Sequence, residues 1–71
     1  MARVSPKKLL LSKWTRVHPL NREKHFLIND VEYDEDGNVI LCIIEAIINK
    51  REYAIDWREL NDDAVWQAGW N

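Results

Sequence analysis

Val39-Ile40-Leu41-Cys42-Ile43-Ile44-Glu45-Ala46-Ile47-Ile48 is the one long apolar run in the chain. Ten residues fit either a buried strand or a short helix, and periodicity does not separate the two, so composition and flanks decide. Five of the ten are isoleucine and one is valine. Their branched Cβ restricts χ1 in a helix and suits a pleated surface. The run follows Asp36-Gly37, a hairpin signal because both residues tolerate φ > 0. The stretch therefore reads as the central strand.

Counting outward from a two-residue Asp36-Gly37 loop sets Tyr33 opposite Ile40, Val31 opposite Cys42, Asn29 opposite Ile44 and Leu27 opposite Ala46. At the other end a loop over Asn49-Lys50 sets Ala46 opposite Tyr53, Ile44 opposite Ile55 and Cys42 opposite Trp57. Both registers select the same face, and a one-residue slip at either turn would have separated them. The other face then carries Val39, Leu41, Ile43, Ile47, Phe26 and Ile28 among Asp30, Glu32, Glu45, Glu52 and Asp56. That is too apolar to stay uncovered, so the rest of the chain or another subunit is expected on it.

The expected fold is mainly β. It is an antiparallel meander of three long strands (24–33, 39–48, 51–57) joined by an N-terminal strand over 9–17, in a small partly closed sheet or SH3-like barrel. One short C-terminal helix completes it. Residues 18–22, with Pro19, read as a connecting loop. For the helix, Asn61 is a good N-cap, Asp62 and Asp63 suit its first turn, Gly69 suits its end, and Leu60 with Val65 form a staple. That predicts about two turns over 62–68, with Trp66 and Trp70 folding back on the sheet. Residues 1–8, with Pro6, read as a flexible basic tail ahead of a single domain, 9–71.

At 71 residues there is room for one small core, so the four tryptophans carry much of the burial. One cysteine makes no internal disulfide and points to a cytoplasmic setting, and no run reaches the length of a membrane span. The net charge of −2 conceals an asymmetry. Residues 1–25 hold seven cations against Glu23, net +6, and residues 26–71 hold three cations against eleven carboxylates, net −8. Within one small fold such halves are expected to neutralise each other.

Taken in order, Leu10-Leu11-Ser12-Lys13-Trp14-Thr15, Lys24-His25-Phe26, Glu45-Ala46, Arg51, Trp57-Arg58-Glu59-Leu60 and Trp66-Gln67-Ala68-Gly69-Trp70 carry a resemblance. The chain resembles the small tryptophan-rich family of uncharacterised bacterial proteins of cyanobacteria and gamma-proteobacteria. The resemblance spans nearly everything past the tail and rests on Ser-Lys-Trp-Thr near one end and Trp-x-x-Gly-Trp at the other. It implies the identity of the domain and brings with it no activity, ligand or catalytic residue.

No constellation dictates a chemistry. His18, His25 and Cys42 match no metal-site spacing, and no cofactor is expected. Ser12 and Lys13 are adjacent on a strand and point apart, so nucleophilic catalysis is not expected, and the chain reads as no enzyme. Glu45 interrupts the apolar run and needs a cation or donors; Arg58, Lys13 and Arg16 are the candidates, with a structural Glu45–Arg58 ion pair as the reading retained. Lys13, Trp14, Arg16, His18, Lys24, His25 and Phe26 interleave cations with aromatics and form the candidate interaction surface. Two functions follow. The favoured one is an interaction module for a protein partner or a second copy of the chain; the alternative is binding of single-stranded nucleic acid.

Overall fold

The structure is a computed structural model that describes residues 4–70. Among those residues it contains the strands β1 (Lys13–Leu20), β2 (Glu23–Tyr33), β3 (Val39–Ala46), β4 (Glu52–Ala54) and β5 (Trp66–Ala68), with two 3₁₀ turns at Pro6–Lys8 and Trp57–Asn61. All pairings are antiparallel, in the order β4-β3-β2-β1-β5. The mainly β expectation holds, with β2-β3-β4 as the meander, but the third strand, expected over 51–57, spans only Glu52–Ala54, because Asp56 caps a 3₁₀ turn that takes up the chain from Trp57. The sheet is not closed into a barrel, however. Its two edges, β4 and β5, are three residues long and lie at opposite ends, too short a ladder to seal one against the other.

The register differs from the count made on two-residue loops. The β2–β3 turn has three residues, 35–37: Asp34 and Asn38 close it through Asp34 N–H to Asn38 O (2.9 Å), and Gly37 takes φ +82°. Tyr33 therefore faces Val39, not Ile40. A bulge then restores the expected pair of Val31 with Cys42. A second bulge at Asn29 moves the register again, so that Ile28 faces Ile44 and Phe26 faces Ala46. Each bulge places an extra residue on one strand, and an extra residue exchanges the faces beyond it. Phe26 and Ile28, expected on the second face, consequently join Cys42, Ile44 and Ala46. Between β3 and β4 the loop has four residues, 47–50, closed by Lys50 N–H to Ala46 O (2.7 Å) with Lys50 at φ +61°. Tyr53 then lies opposite Ile44 instead of Ala46, a slip of two that keeps the face. Asn21 and Arg22, both at positive φ, make the tight β1–β2 turn, so β1 runs on through His18 and Pro19, where a loop was expected.

The expected C-terminal helix is absent, and residues 66–68 form β5. Three causes are visible. Seven residues are too few for a helix to stand without packing. The Oδ1 of Asn61, the intended cap, accepts the Val4 N–H (2.9 Å). Asp62 instead folds residues 62–66 into a turn, its backbone oxygen accepting from Val65 (3.0 Å) and Trp66 (2.9 Å). Pairing with β1 then satisfies the backbone and buries Trp66.

One face of the sheet is dry. Trp14, Phe26, Ile28, Cys42, Ile44, Ala46 and Trp66 are buried there beneath Leu9 and Leu60. Phe26 meets Trp66 edge-on, with centroids 5.1 Å apart, a contact that adds about 0.5–1.5 kcal/mol beyond area. Of the expected tail, residues 1–3 lie outside the described residues. Val4 packs on the core, and Tyr33 Oη donates to Pro6 O (2.5 Å), so residues 4–9 cross this face. The Cα envelope measures 37 × 27 × 15 Å, the thickness of one sheet with a cover on one side.

The face assignment is open to a direct check. Phe26→Ala is expected to cost about 3–5 kcal/mol in a urea titration, on the scale of the whole stability of so small a domain. Leu27→Ala, on the half-exposed side, should cost clearly less. Equal losses would contradict the Asn29 bulge.

Candidate interaction surface

The seven residues of the expected surface do not form one surface. On β1 and β2 neighbouring side chains point to opposite sides. Trp14 and Phe26, directly opposed, are 7% and 2% exposed in the core. Arg16 stands on that same face opposite Trp66, its guanidinium carbon 5.6 Å from the indole centroid. Lys13 and His25 stand on the other face, while His18 and Lys24 are exposed on the strands. Two tryptophan or phenylalanine rings expected to stack on a ligand are thus core residues.

The aromatic that does stand in the open is Trp70, 42% exposed. Its Nε1 donates to Phe26 O (2.9 Å), which lays the ring on the second face. Lys13 Nζ sits 4.8 Å from the ring centroid, and the His25 ring lies 6.0 Å away at 41°. The preceding Gly69 has φ +83°, and its oxygen accepts from Thr15 Oγ1 (2.6 Å), an anchor that holds this end of the chain against β1. The sequence signal for this position was Gly69-Trp70 itself, read as a helix end.

The expected Glu45–Arg58 pair is not formed. Arg58 Nε bonds Asp56 Oδ1 (3.2 Å) across the start of the second 3₁₀ turn, and the Asp56 carboxyl is held below its ordinary range by that guanidinium and by the Arg58 backbone N–H. Glu45 finds a neutral donor. It lies directly opposite Glu52, and the Nδ2 of bulged Asn29 reaches both, at 3.0 Å to Glu45 Oε1 and 2.6 Å to Glu52 Oε2. Two carboxylates demand a donor, so the amide nitrogen must be the atom that faces them. The partner Oδ1 is buried with no hydrogen bond among the described residues.

The second face therefore has a layout. Lys13, Leu27, Glu45 and Glu52 stand in one cross-strand row over β1-β2-β3-β4. Beyond it, Asp30 faces Ile43 and Glu32 faces Leu41. Leu27, Leu41 and Ile43 are half-buried, and Ile47 is 37% exposed. The apolar middle is flanked by Lys13 and Trp70 on the β1 side and by carboxylates on the β3–β4 side. Two further features lie elsewhere. On the core side a groove of about 770 Å³ runs beside β5 between Val4, Trp14, Val17, Leu60 and Trp66. At the hairpin ends the buried Glu23 accepts Asn49 Nδ2 (2.6 Å) and Tyr53 Oη (2.8 and 2.9 Å), which holds its carboxyl below the ordinary range; Arg51 and Arg16 add attraction. Glu23 was counted from sequence only as the lone acid of the basic third, because its partners come from 26 and 30 positions away.

The lone thiol is buried and pushed up to about 11, chiefly by desolvation and secondarily by Glu59. Among the described residues no three His, Cys, Asp or Glu side chains are grouped to hold a metal ion, and no helix is long and apolar enough to cross a membrane.

Fold and surface together define a small antiparallel β domain with one side dry and the other open, stitched by tryptophans from both ends of the chain. Residues 12–71 match the family described as Tryptophan-rich protein (DUF2389), and the chain belongs to that family. No curated protein and no solved structure matches it.

Because the Glu23 carboxyl is held below its ordinary value of 4.5, its stabilisation is complete above about that pH and is lost as pH falls through the lower folded value. Urea midpoints measured from pH 7 to pH 3 should decline on the acid side, and Glu23→Gln should lower the neutral value and make the decline shallower. Asp34 and Asp56, shifted in the same direction, keep part of the slope. An unchanged slope in Glu23→Gln would show that the carboxylate is not held as described.

Proposed function

We propose that this chain is a non-enzymatic interaction module of the cytoplasm that binds a protein surface through the open face of its sheet. The observation that carries this reading is the single layer. Among the described residues the side bearing Leu27, Leu41, Ile43 and Ile47 has no covering segment comparable to residues 4–9 on the other side, and a sheet that is apolar on both faces is ordinarily stacked against something. The charged rim around that apolar middle has the composition of an interface periphery. A cytoplasmic setting suits the protected Cys42 thiol.

The test uses protein purified gently from its own cells and sized by light scattering. The parent chain should run in a complex of defined stoichiometry, and Ile43→Lys, on the open face, should run at the monomer mass while keeping the parent's circular dichroism. Monomers in both cases would end the reading.

The second reading, single-stranded nucleic acid, has one observation in its favour: Trp70 lies exposed between the Lys13 ammonium and the His25 ring, and a base could stack on it. Against it stand Asp30, Glu32, Glu45 and Glu52 on the same face, which repel phosphate. Oligo-dT or oligo-U at 0.15 M salt is expected to leave the tryptophan fluorescence unchanged. A salt-sensitive quench that vanishes in Trp70→Ala would transfer the function to this reading.

A further inference from the structure

We infer that the occupant of the open face is an amphipathic helix of another protein, with lysines or arginines along both flanks of its apolar stripe. This rests on the interaction-module reading and names its partner. The strand registers set the pattern that such a helix meets. On β3 the face carries Leu41 and Ile43, and Ile47 continues the column past the strand end, its N–H bonded to His25 O (2.9 Å). On one side, Glu32 of β2 lies opposite Leu41 and Asp30 opposite Ile43; on the other, Glu52 of β4 lies opposite Glu45. An apolar column is thus bordered by carboxylates on both flanks, and Leu27 extends it onto β2. These carboxylates have capacity left. Among the described residues the side chains of Asp30 and Glu32 have no hydrogen bond or ion pair, and Asn29 Nδ2 takes one oxygen each of Glu45 and Glu52, leaving Glu45 Oε2 and Glu52 Oε1 open. Lys13 stands two strands from Glu45 and rests on the Trp70 ring. Carboxylates gathered on an apolar face call for cations from the occupant, and a second copy of this chain would bring the same carboxylates instead.

The dimensions select a helix. Strands lie about 4.8 Å apart, so carboxylates on β2 and β4 are separated by about 10 Å across β3, the diameter of a helix with its side chains. Lying along β3, such a helix sets its stripe on Leu41, Ile43 and Ile47, while the long stems of its flanking cations run over Leu27 and Ala54 to the carboxylates. The column from Leu41 to Ile47 is about 20 Å long, which about 14 helical residues match. One extended segment laid flat on this face would bury its own N–H and C=O groups against side chains, whereas a helix pairs them internally. A single helix on a few partly exposed side chains makes a small interface, so its dissociation constant falls in the micromolar range.

The experiment is a peptide titration followed by fluorescence anisotropy at about 0.15 M salt. The probe is a labelled helical peptide of about 15 residues, with leucines at i, i+3, i+4 and i+7 and lysines on both flanks. It should bind the parent chain with a dissociation constant of about 1–100 µM. A peptide with glutamates for the lysines should not bind, and one of the same composition scrambled to remove the stripe should bind about tenfold more weakly. Asp30→Asn with Glu32→Gln should weaken binding about tenfold. Glu35→Gln with Asp36→Asn, the same change of net charge at the hairpin tip, should leave it unchanged. Amide shifts on binding should gather at Leu41, Ile43 and Ile47 and spare the groove beside β5. No binding up to about 1 mM, equal binding of the scrambled peptide, equal losses in the two double variants, or shifts centred on the groove would each overturn the inference. A parent chain that pairs with its own copy, or with a protein that presents no such helix, and loses that complex in Ile43→Lys would overturn the helix and leave the interaction module standing.

Discussion

Side chains on a strand alternate, so the extra residue at Asn29 decides that Phe26 and Ile28, and not Leu27 and Asn29, stand opposite Ala46 and Ile44. Nearly everything else follows from that placement. Phe26 reaches Trp66 and thereby brings β5 onto the sheet; Ile28 and Ile44 make the floor on which Leu9 and Leu60 close. Without the bulge the central strands would bury an amide and leave a phenylalanine on the far side. The bulge also turns Asn29 outward as a donor between Glu45 and Glu52, so one residue resolves both the register and the repulsion of two opposed carboxylates.

The charge asymmetry of the chain is handled in a way that net charges do not reveal. Lys13 and Arg16, available in principle to Glu45, rest on the faces of Trp70 and Trp66. Cation–π contacts of this kind contribute about 0.5–1 kcal/mol at exposed sites, and they leave the cations' outer sides in water. The Arg58–Asp56 pair, with side chains 73% and 58% exposed, orders the entry to a 3₁₀ turn and adds little stability of its own. Among the described residues, then, Lys13 and Arg16 rest on aromatic rings and Glu45 and Glu52 share an amide bridge, while Arg51 and Arg16 add attraction to Glu23. The second face keeps both charges, spatially separated.

The first and last described residues lie on opposite faces of the sheet. Residues 4–9 lie over the core face, where Val4 holds Asn61, and Trp70 lies over the opposite face, where it holds Phe26. This explains why the C-terminal segment forsakes a helix for which its local signals are good. A seven-residue helix gains a cap and a staple, whereas β5 gains a ladder with β1, a buried Trp66 and the anchor of Gly69 to Thr15.

How much of this was legible in the chain depends on the range of the interaction. The isoleucine-rich run and the turn residues at 36–37 determined a meander of antiparallel strands, because branched side chains and positive-φ residues act locally. The Ser-Lys-Trp-Thr and Trp-x-x-Gly-Trp segments carried the family. What only the tertiary structure decided were the bulges at Asn29 and beside Tyr33, the loop lengths at 35–37 and 47–50, the exchange of a helix for β5, and the buried Glu23 held by Asn49 and Tyr53. Each of these is settled by which partner residue, tens of positions away, arrives opposite: a shift of one residue changes little in local propensity and reverses the face of every side chain beyond it. The same reversal divided the expected surface, sending Trp14 and Phe26 inward and leaving Lys13 and His25 outside, where Trp70 joins them.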